Sequence, residues 1–418
     1  MFARYLTIAV LILILFLVDW YVFQAVRTVT VSLAFRSQRL IFWLYWGLFA
    51  LTVVTIILFM LTRGTPPTHF RMYLISTLFI IFASKLVVVV FLLVDDGLRL
   101  LKYLVNYIFS HAPNQPEPEK IVISRNEFLN KLALIMGAIP LVAFVYGMVR
   151  GAYNYQVKKV TLRLPDLPLA FQGYRAIQIS DLHTGSFTST KPLHKAVALI
   201  NKQQADLVFF TGDLVNNVAT EVLPHIDALK NISARDGKFS VLGNHDYGDY
   251  VSWPTREAKI QNLNRLKDAH RQIGWKLLLN EHAVIQKGPD QLAIIGIENW
   301  STRLHFPKYG NLPVAYVGTE NIPFKILLSH DPSHWDGEVN TRFPDIHLTL
   351  SGHTHGMQFG VNIAGFKWSP VQYVYKQWAG LYKKGSQYLY VNTGLGFLGY
   401  PGRVGFLPEI TVFEFQRA

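Results

Sequence analysis

Five short motifs place histidine, aspartate or asparagine directly after an apolar run of residues. They are Asp181-Leu-His183, Thr211-Gly-Asp213, Gly243-Asn-His-Asp246, Ser329-His-Asp331 and Ser351-Gly-His-Thr-His355. Carboxylate, amide and imidazole groups without thiolates suit hard or borderline divalent cations such as Mn, Fe, Zn, Mg or Ca. The 418-residue chain has no cysteine, which excludes thiolate metal sites and cysteine nucleophiles. These residue types therefore predict a divalent metal site.

Each motif follows a short run rich in β-branched and aromatic residues, and amphipathic helical patterns lie between the runs. The runs are 174–180, 206–210, 238–242, 324–328 and 346–350. This alternation predicts an α/β domain, and such sheets place ligand sites at the carboxyl ends of their strands. Two metals about 3.5–4 Å apart need a bridging carboxylate, for which Asp213 is the natural candidate.

In this order, the five motifs resemble the pattern of the calcineurin-like metallophosphoesterase superfamily. The resemblance covers residues 155–418, and the blocks 329–332 and 352–358 are similar to those of YkuE-type predicted membrane phosphohydrolases of bacteria. The terminal segments 390–394 and 403–410 also resemble that subfamily. The resemblance implies a C-terminal α/β domain, built as a two-sheet β-sandwich flanked by helices. Met357 replaces a glycine of the subfamily, so we expect a narrower mouth to the site.

The resemblance also implies roles for the residues of the motifs. One metal would be held by Asp181, His183, Asp213 and His355, and the other by Asp213, Asn244, His330 and His353. His245 corresponds to the histidine that contacts the phosphate and protonates the leaving group, and Asp246 would orient it. A hydroxide bridging the metals would attack a phosphomonoester, phosphodiester or pyrophosphate. Ser329 and Asp331 are expected to cap their turn rather than to bind metal.

The first 150 residues contain four apolar segments long enough to span a bilayer, which requires roughly 17–25 residues. They are 5–26, 40–62, 72–94 and 132–149, and charged residues flank each of them. We predict an all-α transmembrane region of four helices over residues 1–150, with a Pro-rich loop at 111–120. Residues 151–418 would form the metallophosphoesterase domain. Four buried core helices are the alternative, but so many apolar segments are hard to bury in one small domain.

Two charged residues, Asp19 and Lys85, lie inside the first and third predicted spans. Odd-numbered spans run in the same direction, and a helix rises 1.5 Å per residue, so both residues lie at nearly the same depth. Two interpretations remain open. The residues form a buried ion pair that packs the first span against the third, or their side chains reach separately to water.

The charge pattern bears on partners and orientation. The formal net charge of +13 would suit nucleic acid, anionic lipid or an acidic substrate. Because the basic residues are spread out, we expect no nucleic-acid partner. We expect the lipid bilayer as one partner and a phosphate-containing substrate as the other, with a lipid-linked molecule resembling UDP-diacylglucosamine as the leading example by analogy. The loops 27–39 and 95–131 are rich in Lys and Arg, which favours a non-cytoplasmic catalytic domain.

Two other functions compete with a phosphoesterase. A membrane sensor with a regulatory, non-catalytic phosphoesterase domain is one, and the complete ligand set argues against it. A nuclease is the other, and the membrane anchor and the lack of a clustered basic and aromatic surface argue against that.

Several residues outside the motifs are expected to be structural. His194, His225 and His270 fall on predicted helices and are expected at the surface. Five aromatic residues around the stretch between the third and fourth motifs are expected in the core, with a lipid-facing lid as the alternative. They are Trp253, Trp275, Trp300, Phe306 and Trp335.

Overall fold

The computed structural model describes residues 2–61, 69–110, 127–303, 306–363 and 365–418. The chain separates into two compact units, Met1–Val145 and Tyr146–Ala418. The Pro-rich loop predicted at 111–120 lies outside the described residues. The domain boundary predicted after residue 150 stays a prediction.

The described part of the first unit consists of long helices. They are α1 (Phe2–Thr30), α2 (Phe35–Leu61), α3 (His69–Ser110) and α4 (Glu127–Val149), whose last four residues belong to the second unit. All four are long and apolar enough to cross a membrane, which confirms the predicted transmembrane helices. Helix α3 continues beyond the predicted span, and Arg99 pairs there with Asp95 and Asp96 one turn earlier.

An ion pair links the helices of the first unit. Lys85 Nζ contacts Asp19 Oδ1, and both side chains are largely buried. The Tyr45 hydroxyl donates a hydrogen bond to the Asp19 carbonyl at 2.9 Å, and Lys85 Nζ lies 4.8 Å from the centre of the Tyr45 ring. The predicted ion pair between α1 and α3 is therefore confirmed, and α2 contributes a third contact to it.

Small residues let α4 approach α3 closely. Ala133 is fully buried in a cluster with Val88 and Leu92. A Cβ atom at Gly137 would lie 3.0 Å from the carbonyl oxygen of Ser84 and closer still to Val88. Small residues four positions apart on one face are a common means of tight packing between membrane helices.

The second unit contains fourteen strands in the residues described. They are β1 (Gln156–Leu164), β2 (Arg175–Ile179), β3 (Leu207–Phe210), β4 (Gly237–Ser240), β5 (Lys276–Leu277), β6 (Glu281–Lys287), β7 (Asp290–Gly296), β8 (Phe324–Leu328), β9 (Leu348–Ser351), β10 (Val361–Ile363), β11 (Phe366–Trp368), β12 (Gly380–Lys384), β13 (Gln387–Val391) and β14 (Glu409–Arg417). The helices are α5 (Lys191–Asn201), α6 (Ile226–Lys230), α7 (Arg256–Ile273), α8 (Leu312–Tyr316) and α9 (Asn340–Arg342).

These strands form two six-stranded sheets and a separate hairpin. The first sheet has the order β1-β14-β2-β3-β4-β5, and the second has the order β12-β13-β9-β8-β7-β6. Phe209 and Phe413 of the first sheet pack with Phe324 and Leu350 of the second in one apolar core. The other face of the first sheet is covered by α5 and α7. The predicted two-sheet sandwich with flanking helices is therefore confirmed.

The direction of the strands brings the motifs together. Strands β2, β3 and β4 are parallel, and so are β7, β8 and β9. Their carboxyl ends therefore lie at common edges, where the five motifs begin. Strand β14 lies between β1 and β2, parallel to the first and antiparallel to the second.

Candidate metal centre

Most of the predicted ligands have an unusual backbone conformation. Asp181, His183, Asp213, His353 and His355 have φ between 46° and 72°, the left-handed region that L-residues avoid. Each such residue costs on the order of 1 kcal/mol or more, so it persists only where the surrounding structure determines it. Here the tight turns after β2, β3 and β9 aim these side chains back over the ends of the sheets.

Asp181, His183 and His355 form a first cluster. All three are buried, and their ligand atoms lie within 4.8 Å of one another. His183 Nε2 lies 3.1 Å from His355 Nε2, which lies 3.2 Å from Asp181 Oδ1. Imidazole nitrogens and a carboxylate oxygen therefore converge on one point.

Asp213, His330 and His353 form a second cluster. His330 Nε2 lies 3.1 Å from Asp213 Oδ2 and 3.3 Å from His353 Nδ1. The Asn244 Oδ1 atom lies 2.8 Å from the same His353 nitrogen. His330 Nδ1 lies 2.7 Å from the Thr211 carbonyl oxygen and donates to it, so Nε2 is the atom that faces the cluster.

Asp213 lies between the two clusters. Its Oδ2 atom is 3.6 Å from His183 Nε2 in the first cluster and 3.1 Å from His330 Nε2 in the second. Its Oδ1 atom accepts a hydrogen bond from the His245 amide at 2.8 Å. The structure thus brings all seven predicted ligands together. Two convergent sets of oxygen and imidazole donors fit a pair of divalent cations.

The charges of these groups also favour cations. Burial raises the pKa of Asp181 and Asp213, but the neighbouring histidines outweigh burial and hold both values below the ordinary range. Burial lowers the pKa of His330, but the Asp213 carboxylate outweighs it and raises the value to about 10. Without metal, a proton on His330 therefore balances the charge of Asp213. A cation would replace that proton.

The structure corrects the role predicted for Asp246. Both of its oxygens accept backbone N–H groups of the loops after β3 and β4, at 2.8–3.3 Å. Burial and the charge of Asp213 raise its pKa to about 7. The partner of His245 Nδ1 is instead the Asn216 carbonyl oxygen, at 2.7 Å. Asp246 therefore ties two ligand loops together, and a backbone carbonyl orients His245, whose ring centre lies 4.9 Å from that of His183.

Two side chains whose contacts with His353 were not predicted from the sequence lie at its Nε2 atom, on the side away from the cluster. The Tyr375 hydroxyl lies 2.8 Å from His353 Nε2, and Asp331 Oδ2 lies 3.5 Å from the same atom. With Nε2 held in this way, Nδ1 faces Asn244 and His330. Asp331 also accepts the Ser333 amide at 2.8 Å, which confirms that it caps its turn. Tyr375 lies in a segment without a recognisable motif, so no signal in the sequence marked it.

Arg403 supports the first cluster. Its guanidinium is buried and donates to the carbonyl oxygens of Gly396 at 2.9 Å and Thr393 at 2.7 Å. Nη2 lies 3.2 Å from His355 Nδ1. Burial lowers the Arg403 pKa to about 10, so the group stays charged at neutral pH. Arg403 lies in the terminal segment that resembles the subfamily, and this resemblance was the sequence signal that could have identified it.

Outside the centre, several expectations need correction. His194 is exposed, but His225 and His270 are buried, so the surface position predicted for the last two is wrong. Trp275 and Trp335 are buried, which confirms their expected core positions. The other three of these residues, Trp253, Trp300 and Phe306, are partly buried, and the ring centre of Phe306 lies 4.9 Å from that of His353.

Met357 has φ of +54° and an exposed side chain. A left-handed φ is the conformation that favours glycine, the residue of the subfamily at this position. The narrower mouth expected from Met357 stays a prediction.

Comparison with known proteins yields two family models and several relatives. Residues 3–152 match a model described as the probable calcineurin-like phosphoesterase transmembrane domain, and residues 174–357 match the calcineurin-like phosphoesterase model. A Danio rerio transmembrane protein with metallophosphoesterase domain is 29% identical over 72% of this chain and 65% of its own length. The uncharacterized metallophosphoesterase YkuE of Bacillus subtilis is 29% identical over 70% of this chain and 98% of its own. Phosphodiesterase YaeI of Escherichia coli is 26% identical over 58% of this chain and 82% of its own length.

The fold, the converging donor sets and these matches define a class of domain, the calcineurin-like phosphoesterases. The two family models match residues of both units. The chain therefore carries a calcineurin-like phosphoesterase domain within residues 174–357, preceded by a segment that matches the transmembrane domain of such proteins. This chain spans slightly less than two thirds of the length of the Danio rerio relative.

Proposed function

We propose that this membrane-anchored protein hydrolyses a phosphoester bond at a dinuclear metal centre. The observation that supports this most directly is the position of Asp213, whose Oδ2 atom lies within 3.6 Å of a histidine from each cluster. A single carboxylate shared in this way is what two adjacent cations require.

The donor atoms divide into two sets. Asp181, His183, Asp213 and His355 would hold one cation, and Asp213, Asn244, His330 and His353 would hold the other. Two bound cations supply an activated water and neutralise the charge that develops on the phosphoryl oxygens.

His245 acts as the general acid in this proposal. Its Nδ1–H donates to the Asn216 carbonyl, so Nε2 is the atom that gives a proton to the leaving oxygen. Its ring lies beside His183 of the first cluster, and this position supports a role at the leaving oxygen of the substrate.

We propose a phosphodiester as the substrate, with a phosphomonoester or pyrophosphate as alternatives. The printed name of the YaeI relative, a phosphodiesterase, supports the first choice. Four membrane helices in the same chain favour a lipid-linked phosphate, for example a molecule resembling UDP-diacylglucosamine. We also propose that the catalytic unit lies on the non-cytoplasmic side, because the segments 27–39 and 95–131, which connect the first span to the second and the third to the fourth, are rich in basic residues.

The test uses the full chain purified in detergent, stripped of metal and reloaded with Mn²⁺. We expect two equivalents of bound metal and turnover of bis(p-nitrophenyl) phosphate. Asp213→Asn is expected to lose both, whereas His194→Asn, which changes an exposed histidine, is expected to keep both. A wild-type protein that binds no metal and turns over no aryl ester would contradict the proposal.

A further inference from the structure

Strands β10 and β11 form a hairpin with an unusually apolar surface. Ile363 is 69% exposed and Phe366 is 63% exposed. Tyr373 is 76% exposed and accepts a hydrogen bond from the Trp368 indole at 3.3 Å, so it adjoins the hairpin. We call Met357, Val361, Ile363, Phe366, Tyr373 and Val374 the apolar patch; all six are exposed. Soluble surfaces rarely gather so many large apolar side chains unless something covers them.

A short hydrogen-bonded path joins this patch to the end of α4. The Arg403 amide donates to the Gly147 carbonyl in the last turn of α4 at 3.2 Å. The Val404 amide donates to the Gln358 carbonyl at 2.8 Å, and the Gly360 amide donates to the Val404 carbonyl at 3.0 Å. Two consecutive residues, Arg403 and Val404, therefore connect the last turn of a membrane span to the segment that leads into β10.

The contact between α4 and this loop is close because two glycines permit it. A Cβ atom at Gly147 would lie 2.6 Å from the Tyr400 hydroxyl and 2.9 Å from the Arg403 carbonyl oxygen. A Cβ atom at Gly151 would overlap the same carbonyl oxygen. The loop around Arg403 therefore lies directly against the end of the span. Tyr400 contacts this end of the span, and tyrosine residues are enriched at the depth of the lipid headgroups.

We infer that the apolar patch inserts into the bilayer interface next to α4. The apolar residues of a span end where hydrocarbon gives way to headgroups, and the patch is linked to that point by backbone hydrogen bonds within one compact unit. Exposed apolar and aromatic side chains are the residues that an interfacial segment buries in the headgroup region. The bilayer is the occupant because the membrane is already fixed at the neighbouring end of α4.

The same segment begins and ends at the metal centre. His353 and His355 precede the patch, and Tyr375, whose hydroxyl contacts His353, follows it. A phosphoester whose lipid portion remains in the bilayer would therefore meet the site along this segment. This consequence rests on the proposed function, whereas the bilayer contact itself does not.

The natural absence of cysteine makes a direct test simple. Ile363→Cys and Leu169→Cys, at two residues that are each 69% exposed, are spin-labelled in the full chain and reconstituted in phosphatidylcholine–phosphatidylglycerol vesicles. Leu169 precedes β2 and is therefore at the edge of the sheet opposite the motifs. We expect oxygen to relax the label at 363 more strongly than a water-soluble nickel chelate does, and the reverse at 169. A label at 363 as accessible to nickel as the label at 169 would overturn the inference.

A second measurement separates this inference from the proposed activity. In the Ile363→Ser/Phe366→Ser double variant, we expect at least a tenfold loss in hydrolysis of a phosphodiester lipid held in vesicles. Hydrolysis of soluble bis(p-nitrophenyl) phosphate should not change. Equal losses of activity on both substrates would contradict the inferred role of the apolar patch in delivering a lipid substrate to the site. A wild-type protein inactive on the soluble ester would overturn the proposed function, and the spin-label result would still decide the bilayer contact.

Discussion

His353 is held by groups on both of its ring nitrogens. Tyr375 and Asp331 lie at Nε2, and Asn244 and His330 lie at Nδ1. Partners behind an imidazole fix its tautomer and its orientation toward a metal. The Tyr375 hydroxyl therefore matters to metal affinity although it is not a ligand.

Tyr375→Phe should weaken metal binding while leaving the fold intact. Loss of such a supporting hydrogen bond typically costs about 10-fold to 100-fold in affinity. Calorimetric titration of the metal-free protein with Mn²⁺ measures this, and one of the two binding steps is expected to weaken. Tyr373→Phe is the control, since Tyr373 is exposed and two residues away. Equal affinities in both variants would remove the supporting role of Tyr375.

His270 should make the catalytic unit sensitive to acid. Its ring is fully buried against Phe210 and Trp275, its Nδ1 lies 2.9 Å from Ser240 Oγ, and burial lowers its pKa to about 3. The unfolded chain takes up the proton near pH 6.5, so the stability that neutral His270 provides is complete above pH 6.5. It is lost as the pH falls toward 3, and between pH 6.5 and pH 5 the loss is about 2 kcal/mol.

Tryptophan fluorescence during unfolding at the two pH values provides the measurement. We expect His270→Gln to remove this part of the pH dependence, whatever its effect on stability at neutral pH. The exposed His194, changed to Gln, should leave the pH dependence as it is. Parallel curves for wild type and His270→Gln would contradict the assignment.

At the scale of the helices, the close packing of α4 against α3 depends on the absence of a side chain at Gly137. Gly137→Leu should destabilise the first unit by about 2 kcal/mol, because the new side chain would collide with Val88 and the Ser84 carbonyl. Thermal unfolding in detergent measures the change. Gly47→Leu in α2 is the matched control, since a Cβ atom there would meet nothing within 4 Å. A similar result for both glycines would argue against close packing at Gly137.

The contact of α1 with α3 depends on the ion pair. Asp19→Asn and Lys85→Met should each destabilise the protein by about 3 kcal/mol, because each leaves an uncompensated buried charge. The double variant should lose clearly less than the sum of the two. Midpoints of thermal unfolding for the four proteins give the coupling free energy. Additive losses would show that the two charges act independently.

The sequence patterns predicted secondary-structure elements better than they predicted contacts between residues far apart in the chain. The strands ending before Asp181 and Asp213 were predictable because apolar runs and polar motifs are local signals. The placement of β14 between β1 and β2 was not, since strand order depends on partners far along the chain. The carbonyl that orients His245 and the burial of His270 were missed for the same reason, because both contacts join residues about thirty positions apart.

For the whole molecule, the orientation in the membrane decides which substrates the site can reach. In intact cells, Leu169→Cys should react with a membrane-impermeant maleimide, because Leu169 is exposed on the catalytic unit. Ser32→Cys lies in the connection between α1 and α2, and three candidate spans, α2, α3 and α4, follow it before the catalytic unit. An odd number of spans puts the two on opposite sides of the membrane, so this cysteine should react only after the cells are permeabilised. The opposite pattern would place the catalytic unit in the cytoplasm.

The position of β14 has a consequence for synthesis. Strands β1 and β2 follow one another closely in the chain, yet they become neighbours only through β14, which the ribosome makes about 230 residues after β2. At about 5–20 residues per second, that interval is roughly ten to fifty seconds. Throughout it, two unpaired strand edges remain open beside a membrane that already holds the nascent chain. Chaperone binding to residues 156–179 during translation would protect them, and slowing translation before codon 409 should increase aggregation.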